Sequence, residues 1–220
     1  MNRLLCRVLL VAGLCASCLL PAQPERPGVA EAIAKLAKAP LAELNATCDR
    51  VVVPEKRGET DDTKDRMVLY GLTMTVGGDQ ALRNRLETAF CTVLAANKPD
   101  AVKAFFLDQL QPIASPACVP AVTPLLDKPT LCDLAARALV SVGNDQAKTA
   151  LRAALPKATG FVQLTLAKAL GEVADAASVP ELLKLAQSEN RDLRLVAGKA
   201  LGAIGDPRAA DVLRGMTSAK

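Results

Sequence analysis

Histidine and tryptophan are absent from the 220 residues, and aromatics make up only 2%, as one Tyr and four Phe. Without imidazole the chain has no histidine general base, no Ser-His-Asp or Cys-His nucleophile system and no imidazole-bound metal. Much hydrolase chemistry is thereby excluded. Long apolar runs are also missing: the longest near the start, Val8 to Leu20, has 13 residues, against the ~18 a membrane-spanning helix requires. With 13 Gly and 14 Pro the chain is neither collagen-like nor of low complexity. What is present, 50% apolar residues and 23% charged ones, is the composition of one folded domain with a sizeable core.

The chain opens on Met1-Asn2-Arg3-Leu4-Leu5-Cys6-Arg7, continues through the apolar run to Leu20, and then reads Pro21-Ala22-Gln23-Pro24. A short basic start, an apolar middle and small residues before a polar stretch predict a signal peptide over residues 1–22, cleaved after Ala22. Export to a bacterial periplasm or the extracellular space follows as an expectation. Cys15-Ala16-Ser17-Cys18 also resembles a lipoprotein site with Cys18 as the lipid acceptor. Removing the leader takes Arg3 and Arg7 and no acid, so 25 Lys+Arg face 23 Asp+Glu, a balance of +2. A near-neutral chain lacks the field that nucleic acid or anionic lipid requires, so neither is expected as a partner.

Cleavage leaves Cys48, Cys91, Cys118 and Cys132. An even number in an exported chain predicts two disulfides; four buried, reduced cysteines are the alternative. Cys118 and Cys132 open helices at opposite ends of a regular hairpin. At ~1.5 Å per residue over about ten residues they stand roughly 15 Å apart, beyond the ~7 Å limit between bridged Cα atoms. Cys48 with Cys91 is the more feasible bond, and Cys118 with Cys132 requires distortion at Pro116, Pro120 and Pro124. No CxxC spacing supports zinc or thioredoxin-like chemistry.

The richest signal is a 31-residue repeat. Leu134–Asn144, Thr165–Asp175 and Val196–Asp206 align without gaps, placing Ala138, Ala169 and Ala200 beside Leu139, Leu170 and Leu201. Val142, Val173 and Ile204 follow three residues later, the spacing of a helical stripe. Leu151, Leu182 and Leu213 anchor a second helix in each unit. Upstream, Ala101 to Ile113 with Val119 to Asp127 forms a fourth unit and Asp65 to Ala96 a looser fifth, broken at Gly77-Gly78. A single hairpin of about 30 residues cannot bury its apolar face, so neighbours must stack. The expected fold is all-α, an α-solenoid of about five units over residues 65–220. A helical capping segment at 23–53 and a charged, mobile connector at 54–64 precede it. Glu59 to Asp65 lacks the Gly and terminal Glu of a calcium loop, and Asp61 or Asp62 is expected to cap the next helix.

The last unit, with Leu201-Gly202-Ala203-Ile204-Gly205-Asp206-Pro207-Arg208-Ala209 at its turn, resembles the HEAT-like repeat of the phycocyanobilin-lyase type. The resemblance covers roughly the C-terminal 100 residues. It implies the fold strongly and the function weakly, since such repeats occur in bilin lyase subunits, a DNA glycosylase family, an iron-dependent hydroxylase and scaffolds. The hydroxylase would need His-Glu ligands that this chain cannot supply, and the glycosylase a basic, aromatic groove.

The leading expectation is therefore an exported, non-enzymatic scaffold that needs no cofactor. It would hold a protein or peptide partner on a concave face lined by second helices, through Arg152, Lys184, Asp211 and Arg214. A lyase-like enzyme subunit acting on a modified protein or chromophore, with Glu172 and Asp175 as acid and base, is the alternative. A structural spacer of the cell envelope is a third.

Overall fold

The computed structural model describes residues 28–54 and 60–218; the leader, its cleavage site and Cys18 lie outside the described residues. Twelve α-helices pair into six hairpins, with no strand among the described residues. The first helices are α1 (Val29–Lys38), α3 (Thr63–Thr75), α5 (Asp100–Leu110), α7 (Cys132–Val142), α9 (Gly160–Glu172) and α11 (Arg191–Ile204). Their partners are α2 (Leu41–Asp49), α4 (Gln80–Ala95), α6 (Val119–Val122), α8 (Asp145–Ala154), α10 (Val179–Leu185) and α12 (Ala210–Ser218). Each first helix packs on the next along the whole series, and α2, α4, α6 and α8 do the same on the other side. This is an all-α solenoid, in which a continuous core runs between two rows of helices.

The repeat explains the packing residue by residue. Leu139, Leu170 and Leu201 are fully buried, as are Leu151 and Leu182, while Ala138, Ala169 and Ala200 supply the small surface that lets successive helices approach. Residues 28–53, expected as a cap, form the hairpin α1–α2, which stacks on α3 and α4 in the manner of the later units. The Arg85 guanidinium of α4 donates to the Ala37 and Ala39 carbonyls, tying that hairpin down. The helix expected from Val119 to Asp127 is shorter than the spacing implies. Pro124 has no N–H to continue it, and α6 passes into a 3-10 turn at Thr123–Leu125.

Turn chemistry differs between units. Gly143 and Gly205 close α7 and α11 at φ 62° and 70°, where a Cβ would be strained. The equivalent Ala174 takes φ 48°, a conformation costing an L-residue roughly 1–2 kcal/mol. In the expected connector, Asp62 is buried. Its Oδ2 accepts the Val52 and Val53 N–H groups at 2.9 and 2.8 Å, and its Oδ1 accepts Arg66 Nε at 2.9 Å. Burial opposes ionisation of Asp62, but the two N–H donors and Arg66 outweigh it and hold the carboxyl below its ordinary value. Asp61, rather than Asp62, accepts the Thr63 N–H at the start of α3.

Asp206, after Gly205, accepts the Arg208 side chain (Nε 2.9 Å, Nη2 2.7 Å) and the Arg208 N–H (2.9 Å). Those bonds, the guanidinium first, hold its carboxyl at about 2. A carboxyl depressed from 3.8 stabilises the fold above that unfolded value and loses its contribution as pH falls through about 2. Carboxyl-carbon NMR should show Asp206 titrating near 2, and Asp206→Asn should flatten the acid limb of stability between pH 4 and 2. A midpoint near 4 would remove the Arg208 account.

Candidate functional site

Helices α9 and α11 make the most extensive contact between elements among the described residues, and the repeat places like on like across it. Gly171 faces Ala200 so closely that a Cβ built on Gly171 would sit 2.6 Å from Ala200 Cα and 2.8 Å from its Cβ. Beside this contact a groove of about 320 Å³ opens, with Gly171, Val196, Ala200 and Ala203 as its apolar floor. Lys168, Glu172 and Lys199 stand on its rim, and all three are exposed. Lys168 Nζ lies 3.7 Å from Glu172 Oε1, one turn along α9. Lys199 occupies the Lys168 position one repeat later, as Arg137 does one repeat earlier.

An apolar floor of this size seats an alkyl or ring portion of a ligand, while a carboxylate and two ammonium groups can accept a proton, donate one and hold an anion. A metal held through imidazole does not fit these residues, since the sequence has no histidine and no group of three His, Cys, Asp or Glu converges among the described residues. Also among the described residues, no helix is long and apolar enough to cross a membrane.

Of the residues singled out from sequence, Glu172 stands at the groove and the others fall elsewhere. Asp175 is buried, and both its carboxylate oxygens accept Arg152 Nη1 at 2.8 Å, so this acid is occupied within the fold and does not converge with Glu172. Arg152 is thereby engaged internally, Lys184 bonds Glu181 at 2.8 Å, and Arg214 pairs with Asp211. The four cysteines among the described residues, Cys48, Cys91, Cys118 and Cys132, are free thiols. Glu87 and Cys118 are the groups whose charges act on Cys91. The lysine pair at the groove was available to sequence reasoning through the 31-residue interval between Lys168 and Lys199, but only the closeness of α9 and α11 makes it a site.

The family model described as HEAT repeats matches residues 159–220, the segment that contains the groove. Deoxyhypusine hydroxylase of Gallus gallus is 49% identical over 51 residues, which is 22% of this chain and 17% of that protein. The chain thus spans about a sixth of that curated relative's length. The solved structure of human deoxyhypusine hydroxylase in complex with glycerol is 16% identical and superimposes with a TM-score of 0.35, over 84% of this chain and 92% of that one. The expectation of a non-enzymatic scaffold is corrected by the 51-residue match: a segment 49% identical to this one is part of an enzyme. Residues 159–220 match HEAT repeats, at the end of an all-α solenoid of stacked helical hairpins.

Proposed function

We propose that this protein is a lyase-like enzyme subunit acting on a covalently modified protein, with the groove between α9 and α11 as its site. The observation that carries the reading is the 49% identity over 51 residues to an enzyme, one named for acting on deoxyhypusine. The groove adds what such a subunit needs, an apolar seat flanked by Glu172, Lys168 and Lys199. A chromophore-bearing substrate of the bilin type is the narrower form of the proposal, supported by the Leu201 to Asp206 turn. Export with residues 1–22 removed belongs to the same reading and would place the substrate outside the cytoplasm.

In an elimination, the Glu172 carboxylate takes a proton from the carbon beside the breaking bond. The C–H electron pair becomes the new double bond, and the leaving group departs with its own bonding pair and receives a proton from Lys199. Lys168 stays beside Glu172, its ammonium 3.7 Å from Oε1.

The test compares a host strain lacking the gene with strains restored by the wild-type chain or by Glu172→Gln, using peptide mass spectrometry of modified proteins. A modified peptide should accumulate without the gene and persist with Glu172→Gln, whose turnover should fall on the order of 10²–10⁴-fold. Glu172 is exposed, so the variant should fold normally. Identical modification profiles with and without the gene would overturn the proposal.

A further inference from the structure

Away from the groove, between the second and third hairpins, Glu87 of α4 is buried with no cation against it among the described ion pairs. Its Oε1 accepts the Ser115 N–H at 2.8 Å and its Oε2 accepts the Ser115 hydroxyl at 2.7 Å. The charge of this carboxylate also acts on the buried Cys118 thiol. The double contact sets the register between α4 and the 3-10 turn Pro116–Cys118 that leads into α6. Second helices of successive hairpins run in the same direction. One turn beyond Glu87 on α4 stands Cys91, and one 3-10 turn beyond Ser115 stands Cys118, so the two thiols come to the same level of neighbouring elements.

We propose that Cys91 and Cys118 form a dithiol that closes to a disulfide, stapling the second hairpin to the third. Cys91 is partly exposed and Cys118 fully buried, so an external disulfide reaches Cys91 first. The Cys91 thiolate attacks one sulfur of a small organic disulfide, forming a mixed disulfide and releasing one thiolate. Cys118 then gives up its proton beside Glu87 and attacks Cys91 Sγ, expelling the second thiolate. The protein loses two electrons and two protons, and the reagent, reduced to two thiols, gains both.

The other two cysteines have different surroundings: the charges acting on Cys48 are those of Asp49, Arg50 and Asp65, and on Cys132 those of Asp133 and Asp127. Burial pushes the Cys91 thiol up to about 12 and the Cys118 thiol up to about 11. The thiolate fraction at neutral pH is therefore small, and closure is slow, accelerating about tenfold per pH unit below those values. This inference does not depend on the reading of the α9–α11 groove.

The test incubates the reduced full chain with glutathione and glutathione disulfide at mildly alkaline pH, quenches it with alkylating reagent under denaturing conditions, and digests it without reduction. Mass spectrometry should find peptides joined through Cys91 and Cys118, with Cys48 and Cys132 alkylated. The joined form should melt on the order of 5 °C higher than the reduced one, and dithiothreitol should remove the gain. Cys91→Ser, at the partly exposed member, should fold and lose both the linkage and the gain. Alkylation of both Cys91 and Cys118, glutathione retained on Cys91 alone, or linkage through Cys48 or Cys132 would each overturn it.

Discussion

Gly171→Leu is expected to destabilise the protein by more than about 3 kcal/mol, and Gly171→Ala by about 1–3 kcal/mol, read from urea or thermal unfolding. A Cβ at Gly171 lands 2.6 Å from the Ala200 Cα, which is backbone and cannot rotate away. Helices α9 and α11 must then separate, giving up contact along their length. The control is Gly202, its equivalent one repeat later, where an added Cβ meets nothing within 4 Å. Gly202→Ala should stabilise by about 0.5 kcal/mol, because alanine has the better helix propensity and the unfolded chain loses freedom. Two glycines at the same repeat position should thus give opposite signs. Equal effects would mean that the α9–α11 approach is not the one described.

Arg152→Ala should cost about 2–3 kcal/mol. Asp175 is only 5% exposed and both its oxygens are bound by Arg152, so removing the cation leaves a buried carboxylate without its charge partner. Losses of about 3–5 kcal/mol accompany such a break when both groups are buried. The lower figure applies here because a third of the Arg152 side chain is in water, which screens the pair and can reach the orphaned acid. Removing both residues should recover part of the loss, and the double-mutant cycle measures the coupling. Arg214→Ala should change stability immeasurably, since Arg214 and Asp211 are both highly exposed. A negligible effect of Arg152→Ala would return Arg152 to the outward-facing role first expected of it.

These contrasts mark how far the sequence could be read. The stripe of Ala138, Ala169 and Ala200 beside Leu139, Leu170 and Leu201 was legible because each hairpin repeats one local pattern, and burying that pattern dictates stacking. Pro120 and Pro180 at helix starts, and Gly143 and Gly205 at helix ends, were legible for the same local reason. The ion pair of Arg152 was not legible because its partner lies 23 residues away in the next hairpin. Asp175 looked like a free acid because nothing adjacent in the chain reveals a cation above it. Glu172 and Lys168, one turn apart on one helix, were within reach of spacing arguments, but their service to a groove was not.

By itself, then, the sequence determined the repeat, the all-α class and the exclusion of imidazole chemistry, each of which follows from composition or from interactions within about one helical turn or one repeat period. Only the tertiary structure decided which glycine is pressed against backbone, which acid is neutralised, which thiols are neighbours and where a groove opens. Those outcomes depend on distances of a few ångströms between residues of different hairpins, and a pattern that repeats every 31 residues leaves such distances unspecified.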